Sequence, residues 1–293
     1  EQGGLVAQMR LAEEGIYDDP SMMQMFSVFD RRFTLRPSEI YTRIVEKYPR
    51  SAIAPLAQTK LAMWYYFNNR PDEALDAVEG FFARYPLNPL AERVEEVGVG
   101  VFERAAKDAV EQENWPRIAG MWERFPFLAR LVERMTPDTR IAVGLAYWRQ
   151  NRPDQALEMA KPFLTRQKQG VVSEMALNIA LDVYVGQSAW ADLADLYETV
   201  RAWQMPDTLR RQLDFASALA LTSLGRPEES EPLWSKLATD RSLSADQRGL
   251  ALFHLARFAQ AANQLEKSFL YAQESLSELV LAGAHKERVK DPM

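Results

Sequence analysis

Apolar residues recur along this chain at helical spacing and stop at short polar breaks. Leu56, Leu61, Ala62, Tyr65 and Tyr66 form one such run, Leu75, Val78, Phe81 and Phe82 a second, and Ile141, Leu145, Ala146 and Trp148 a third. Between the first two lies Asn69-Arg70-Pro71-Asp72-Glu73-Ala74-Leu75, and after the third comes the near copy Asn151-Arg152-Pro153-Asp154-Gln155-Ala156-Leu157. Pro71 lacks an amide hydrogen and disfavours the α region for Arg70, so a preceding helix ends by Asn69, a residue that tolerates the left-handed conformation. Pro71 also suits the first turn of a new helix, where Asp72 and Glu73 face the positive dipole end. The phrase is therefore a joint between two helices.

Further copies give a period. Gly225-Arg226-Pro227-Glu228-Glu229-Ser230 keeps the joint, Asn263-Gln264-Leu265-Glu266-Lys267-Ser268 keeps its outline, and Asn114-Trp115-Pro116-Arg117-Ile118-Ala119 and Ala189-Trp190-Ala191-Asp192-Leu193-Ala194 are weaker versions. With the small residue as marker, Ala74, Ala119, Ala156, Ala194, Ser230 and Ser268 are separated by 45, 37, 38, 36 and 38 positions. Periods of roughly 20 to 50 residues mark solenoids, in which each unit buries its apolar face against its neighbours. Each unit is predicted to be a helical hairpin.

On these residues the chain resembles tetratricopeptide repeat proteins. Over 55–86, Leu61-Ala62 stands at the Leu-Gly pair of the repeat, Tyr65 at its tyrosine, Ala74 at the second-helix alanine and Pro86 at the closing proline. The 137–165 unit matches with Gly144, Tyr147 and Ala156 and lacks the closing proline. A narrower likeness covers 48–102, where Tyr48-Pro49-Arg50-Ser51 leads into Ala54-Pro55 and the unit ends Tyr85-Pro86-Leu87-Asn88-Pro89-Leu90-Ala91, similar to bacterial envelope proteins of the BamD and YbgF kind. The resemblance implies an all-α, right-handed α-α superhelix of about six to seven hairpins forming a single domain over 1–293. Atypical N-terminal capping helices would occupy 1–34, hairpin repeats 35–280 and a polar tail 281–293. The narrower likeness implies a bacterial cell envelope location, periplasm favoured over cytoplasm.

Composition changes this picture little. The 293 residues, 47% hydrophobic and 26% charged, describe a folded chain with enough apolar surface for a large core. No apolar run is long enough to cross a membrane. The chain begins at Glu1 without a signal-peptide pattern and reads as a mature form or an excised fragment. A net charge of -6 and the absence of a basic stripe argue against nucleic acid as a partner.

Zero cysteines remove thiolate metal sites and cysteine nucleophiles. The two histidines, His254 and His285, have no further ligand at metal spacing, so no metal and no cofactor is expected. Gly98-Val99-Gly100 lacks the flanking elements of a phosphate loop and reads as close helix packing. Adjacent carboxylates such as Asp18-Asp19, Glu95-Glu96 and Glu228-Glu229 point about 100° apart on a helix, which suits solvation rather than acid-base catalysis. The expectation is a protein without a catalytic centre.

A partner-binding groove is the better-motivated site. The resemblance places concave-face positions on Thr59, Met63 and Tyr66, on Ile141, Leu145 and Trp148, on Phe215, Leu219 and Thr222, and on Phe253, Arg257 and Gln260. Met63 and Leu145 stand where the carboxylate-clamp type of groove carries Lys and Asn, so the expected ligand is an extended peptide or amphipathic helix of another protein. Two alternatives belong to other classes. The chain is a regulatory or substrate-docking part of a larger enzyme or envelope complex, or it self-associates through the apolar segment Met22 to Phe29.

Overall fold

The computed structural model describes Val6, Met9, Met23–Phe26, Arg32–Leu35 and residues 37–290. Two four-residue strands, Met23–Phe26 (β1) and Arg32–Leu35 (β2), pair antiparallel with Met23 opposite Leu35 and Phe26 opposite Arg32. At these residues this corrects the expectation of capping helices over 1–34. The alternation Met23-x-Met25 and Phe33-x-Leu35 has the period of a strand, which outweighs the apolar content that reads as a helical cap. The rest of the Met22 to Phe29 segment, at 22 and 27–29, lies outside the described residues.

Every other described element is helical. The chain divides into two compact units, Glu1–Arg152 and Pro153–Met293, where the repeat pattern predicts one continuous domain. In the first unit, Pro37–Lys47 (α1) precedes the hairpin of Ala54–Phe67 (α2) and Pro71–Arg84 (α3). Ala91–Glu111 (α4) and Trp115–Arg124 (α5) form the next hairpin, followed by the short Phe127–Arg130 (α6), a 3-10 turn at Val132–Arg134, and Pro137–Arg149 (α7). The second unit contains Pro153–Ala160 (α8), the hairpin Gly170–Gly186 (α9) and Trp190–Val200 (α10), the hairpin Asp207–Ser223 (α11) and Pro227–Thr239 (α12), and the hairpin Ala245–Ala261 (α13) and Leu265–Lys290 (α14). The polar tail expected over 281–293 is thus helical as far as Lys290.

The joints share one geometry. Asn69, Glu113, Asn151, Ser188, Gly225 and Asn263 all have φ between 53° and 70°. After each, the next amide donates to the carbonyl five residues back: Arg70 to Tyr65, Asn114 to Ala109, Arg152 to Tyr147, Ala189 to Tyr184, Arg226 to Leu221 and Gln264 to Ala259, all at 2.8–3.0 Å. The left-handed residue itself donates three residues back, as Asn69 does to Tyr66. This is the Schellman closure, which satisfies the last carbonyls of one helix before the next begins. Successive left-handed residues lie 44, 38, 37, 37 and 38 positions apart. The fifth residue past each of the first five is buried, at Ala74, Ile118, Ala156, Leu193 and Ser230, and the sixth, Ser268, is half-buried, so Ala119 and Ala194 sit one place beyond the true repeat position.

Packing within and between hairpins uses small residues and polar links. Gln58 of α2 donates to the Ala77 carbonyl of α3 at 2.8 Å and accepts from Arg84 at 3.0 Å. Arg117 and Arg124 of α5 reach back to Asp72 and Asp76 of α3 at 2.5 and 2.7 Å, exposed pairs that fix register more than they stabilise. A Cβ on Gly98 would stand 3.0 Å from Phe127 and 3.1 Å from Val78, as the close-packing reading requires, whereas Gly100 faces open space.

In the second unit the centre is Trp234, fully buried among Ala218, Leu237, Leu243, Ala251 and Leu255. His254 stacks on its indole with centroids 4.5 Å apart and planes at 11°, and the imidazole Nδ1 is buried without a hydrogen-bond partner among the described residues. Burial, and then the nearby Arg257, push the His254 pKa below its usual value. The folded state therefore prefers the neutral ring, and His254 contributes stability that is complete above the unfolded pKa of about 6.5 and lost as pH falls toward the folded value. Thermal unfolding followed by circular dichroism is expected to show a midpoint that drops between neutral and mildly acid pH. His254→Phe should flatten that drop, and a parallel drop in the variant would reject His254 as its source.

Candidate interaction face

The first helix of every joint leaves the same two positions accessible. Six residues before the left-handed residue stand Met63, Lys107, Leu145, Asp182, Leu219 and Arg257, and three before it stand Tyr66, Val110, Trp148, Val185, Thr222 and Gln260; all twelve are half-buried or exposed. The third expected position, ten before the joint, behaves differently. Thr59 is 4% exposed with its hydroxyl donating to the Pro55 carbonyl of its own helix, and Ile141 is 2% exposed. Neither presents a surface to a partner, and both are removed from the candidate face. Phe215 is half-buried with its ring edge-on to Trp234 at 5.5 Å, and Leu219 packs on the same cluster. Phe253 is exposed, with the Arg257 guanidinium 6.0 Å from its centroid.

In the first unit these positions bring together aromatic rings and cations. The Arg104 guanidinium lies 5.4 Å from the Tyr66 centroid, across a small cleft that Asn69, Val101 and Asp108 also line. Arg149 stands 5.2 Å from Trp148 and 6.0 Å from Trp115. Cation–π contacts of this kind stiffen long side chains and hold aromatic faces in place. Glu103, ten positions before its joint, is occupied in accepting from the Thr136 amide at 2.6 Å.

Val110 and Lys107, with Asp182 and Val185, were absent from the sequence reading. The offset that locates Met63 and Tyr66 from Asn69 locates them too, once Glu113 and Ser188 are recognised as joint residues. Glu and Ser do not advertise a left-handed conformation, so the sequence signal there is weak.

Sequence reading also missed a cleft of about 620 Å³ in the first unit, lined by Glu79, Phe82, Pro86, Glu95, Phe127 and Arg130 among others. Phe82 and Phe127 meet at 5.5 Å on its wall, Arg130 sits 5.9 Å from Phe82, and Glu95 is paired with Arg134 at 3.1 Å. Beside Pro86 in the chain, Leu87 is 97% exposed. The long step between the first two joints reflects the longer helices α3 and α4, of 14 and 21 residues, and not a longer link between them.

Among the described residues no group of three or more His, Cys, Asp or Glu is placed to hold a metal ion, and no helix is long and apolar enough to cross a membrane. The side chain of His285 lies outside the described residues. Tyr85, Tyr184 and Tyr197 have pKa values raised by burial, which keeps their hydroxyls protonated. Comparison with known protein families finds no matching family, and no curated protein matches the chain.

Proposed function

We propose that the protein is a non-catalytic interaction scaffold whose first-helix face holds an extended peptide or amphipathic helix of another protein. The observation that carries this reading is the repeated accessibility of the same two positions before all six joints, filled in the first unit by Met63, Tyr66, Val110, Leu145 and Trp148. Large aromatic and thioether side chains give contact area to an apolar partner face and adapt to its shape. Arg104 and Arg149 beside those rings suit acidic residues flanking the partner's apolar side chains. The reading takes the hairpins to wind as tetratricopeptide hairpins do, in a right-handed superhelix with the first helices inward, and takes the compartment to be a bacterial envelope.

The test is recovery of partners from extract of the source organism on immobilised wild-type protein beside Trp148→Glu and Met63→Glu. Both variants are expected to keep the wild-type circular dichroism spectrum and to lose a partner that the wild type retains. Equal recovery by all three would place binding elsewhere, and lost helicity would show that these residues are structural.

A further inference from the structure

We propose that α14 is a homodimerisation helix, packing antiparallel on α14 of a second copy of this chain. One side of α14 is committed to α13. Ser268 Oγ donates to the Ala256 carbonyl at 2.9 Å, Ser275 Oγ donates to the Gly249 carbonyl at 2.7 Å, and Glu278 pairs with Arg248 at 2.7 Å. Away from that seam runs a stripe of exposed apolar side chains: Leu265 at 65%, Phe269 at 69%, Leu276 at 64% and Val280 at 62%, with exposed Ala272 between them. Steps of four, three, four and four keep all five on one strip of the helix.

Earlier joints show what such positions do when covered. Six residues past the left-handed residue, Leu75, Ala119, Leu157 and Ala194 are buried, with Glu231 the charged and exposed exception. Phe269 occupies the same place on α14 and is open. Nine residues past it, Val78, Trp122, Ala160 and Trp234 are buried and Tyr197 is half-buried, and Trp234 receives His254 of the next hairpin; Ala272 is open. The stripe is a helix-packing surface that no helix covers among the described residues.

Its layout selects a second copy as the occupant. A two-fold contact needs a patch complementary to itself. About a centre between Ala272 and Gln273, Phe269 falls opposite Leu276, Leu265 falls opposite Val280, and Ala272 stands at the crossing, where a small side chain lets the helices approach. No charged residue interrupts the stripe, and Glu266 at its edge falls opposite Leu279 rather than another carboxylate. Leu279, also exposed, borders the stripe and widens it. This contact involves neither the face proposed above nor the Met22 to Phe29 segment expected from sequence.

The chain has no cysteine, so single cysteines report geometry cleanly. Light scattering across a wide concentration range is expected to show a dimer for the wild type and monomers for Phe269→Glu and Leu276→Glu, both with unchanged helicity. Under air oxidation Ala272→Cys should form a disulfide-linked dimer. Glu266→Cys should not, because a rise of about 1.5 Å per residue puts the two copies of that residue about 20 Å apart in an antiparallel pair. A monomeric wild type, a dimer untouched by both glutamate variants, or cross-linking of Glu266→Cys as readily as Ala272→Cys would each overturn the proposal.

Discussion

Trp234→Ala is expected to destabilise the second unit by about 3–5 kcal/mol, the range for truncating a buried aromatic residue. Its indole is fully buried, edge-on to Phe215 at 5.5 Å and stacked on His254 at 4.5 Å. The indole Nε1 donates to Thr222 Oγ1 at 2.9 Å, and that hydroxyl donates in turn to the Ala218 carbonyl at 2.7 Å. Truncation leaves a cavity and also strips α13 of the ring that holds His254. Urea unfolding followed by far-ultraviolet circular dichroism measures the loss. Trp234→Phe should recover most of it, since the area lost is smaller and the neutral Thr222 hydroxyl keeps its link to Ala218. A Trp234→Ala midpoint equal to wild type would mean that this cluster is not the core of the unit.

The second large effect is expected at Gly249. It lies where α13 meets α14, and a Cβ there would come within 2.9 and 3.0 Å of Leu279 carbons and 3.3 Å of the Ser275 backbone carbonyl. The leucine side chain can swing away; the backbone carbonyl cannot. Gly249→Val therefore forces the helices apart, weakens the Ser275–Gly249 hydrogen bond of 2.7 Å, and should cost about 1–3 kcal/mol or more. Gly249→Ala meets the same Cβ contact without the two branches and is expected to cost less, part of it offset by the higher helix propensity of Ala. Hydrogen exchange provides the check: amides of α14 should lose protection in Gly249→Val while those of α4 and α5 do not change. Uniform loss over both units would reject a local effect.

The joints with Pro in the first turn were legible because that residue fixes a helix start, and Asn69, Asn151 and Gly225 are residues that accept positive φ. At Glu113 and Ser188 the same closure forms without a permissive residue, so the marker slipped by one, to Ala119 and Ala194 in place of Ile118 and Leu193. The accessibility of Met63, Tyr66, Leu145 and Trp148 was legible in the sequence. At Thr59 and Ile141 it was not, since a position ten residues back is exposed or buried according to the neighbouring helix, which no single helix pattern contains. The stripe on α14 went unread for a related reason. Its residues look like core until the structure shows them exposed. The paired strands at 23–35 were hidden by an apolar run too short to separate period two from period 3.6.

The six closures are made by main-chain donors and acceptors, and the residue at positive φ is variously Asn, Glu, Ser or Gly. Such a joint asks little of the side chains that form it. Its length and hand are then set by main-chain geometry, and side chains are free to differ. Within one chain, sequences as different as Asn-Arg-Pro-Asp at two joints and Ser-Ala-Trp-Ala at another fold to the same turn.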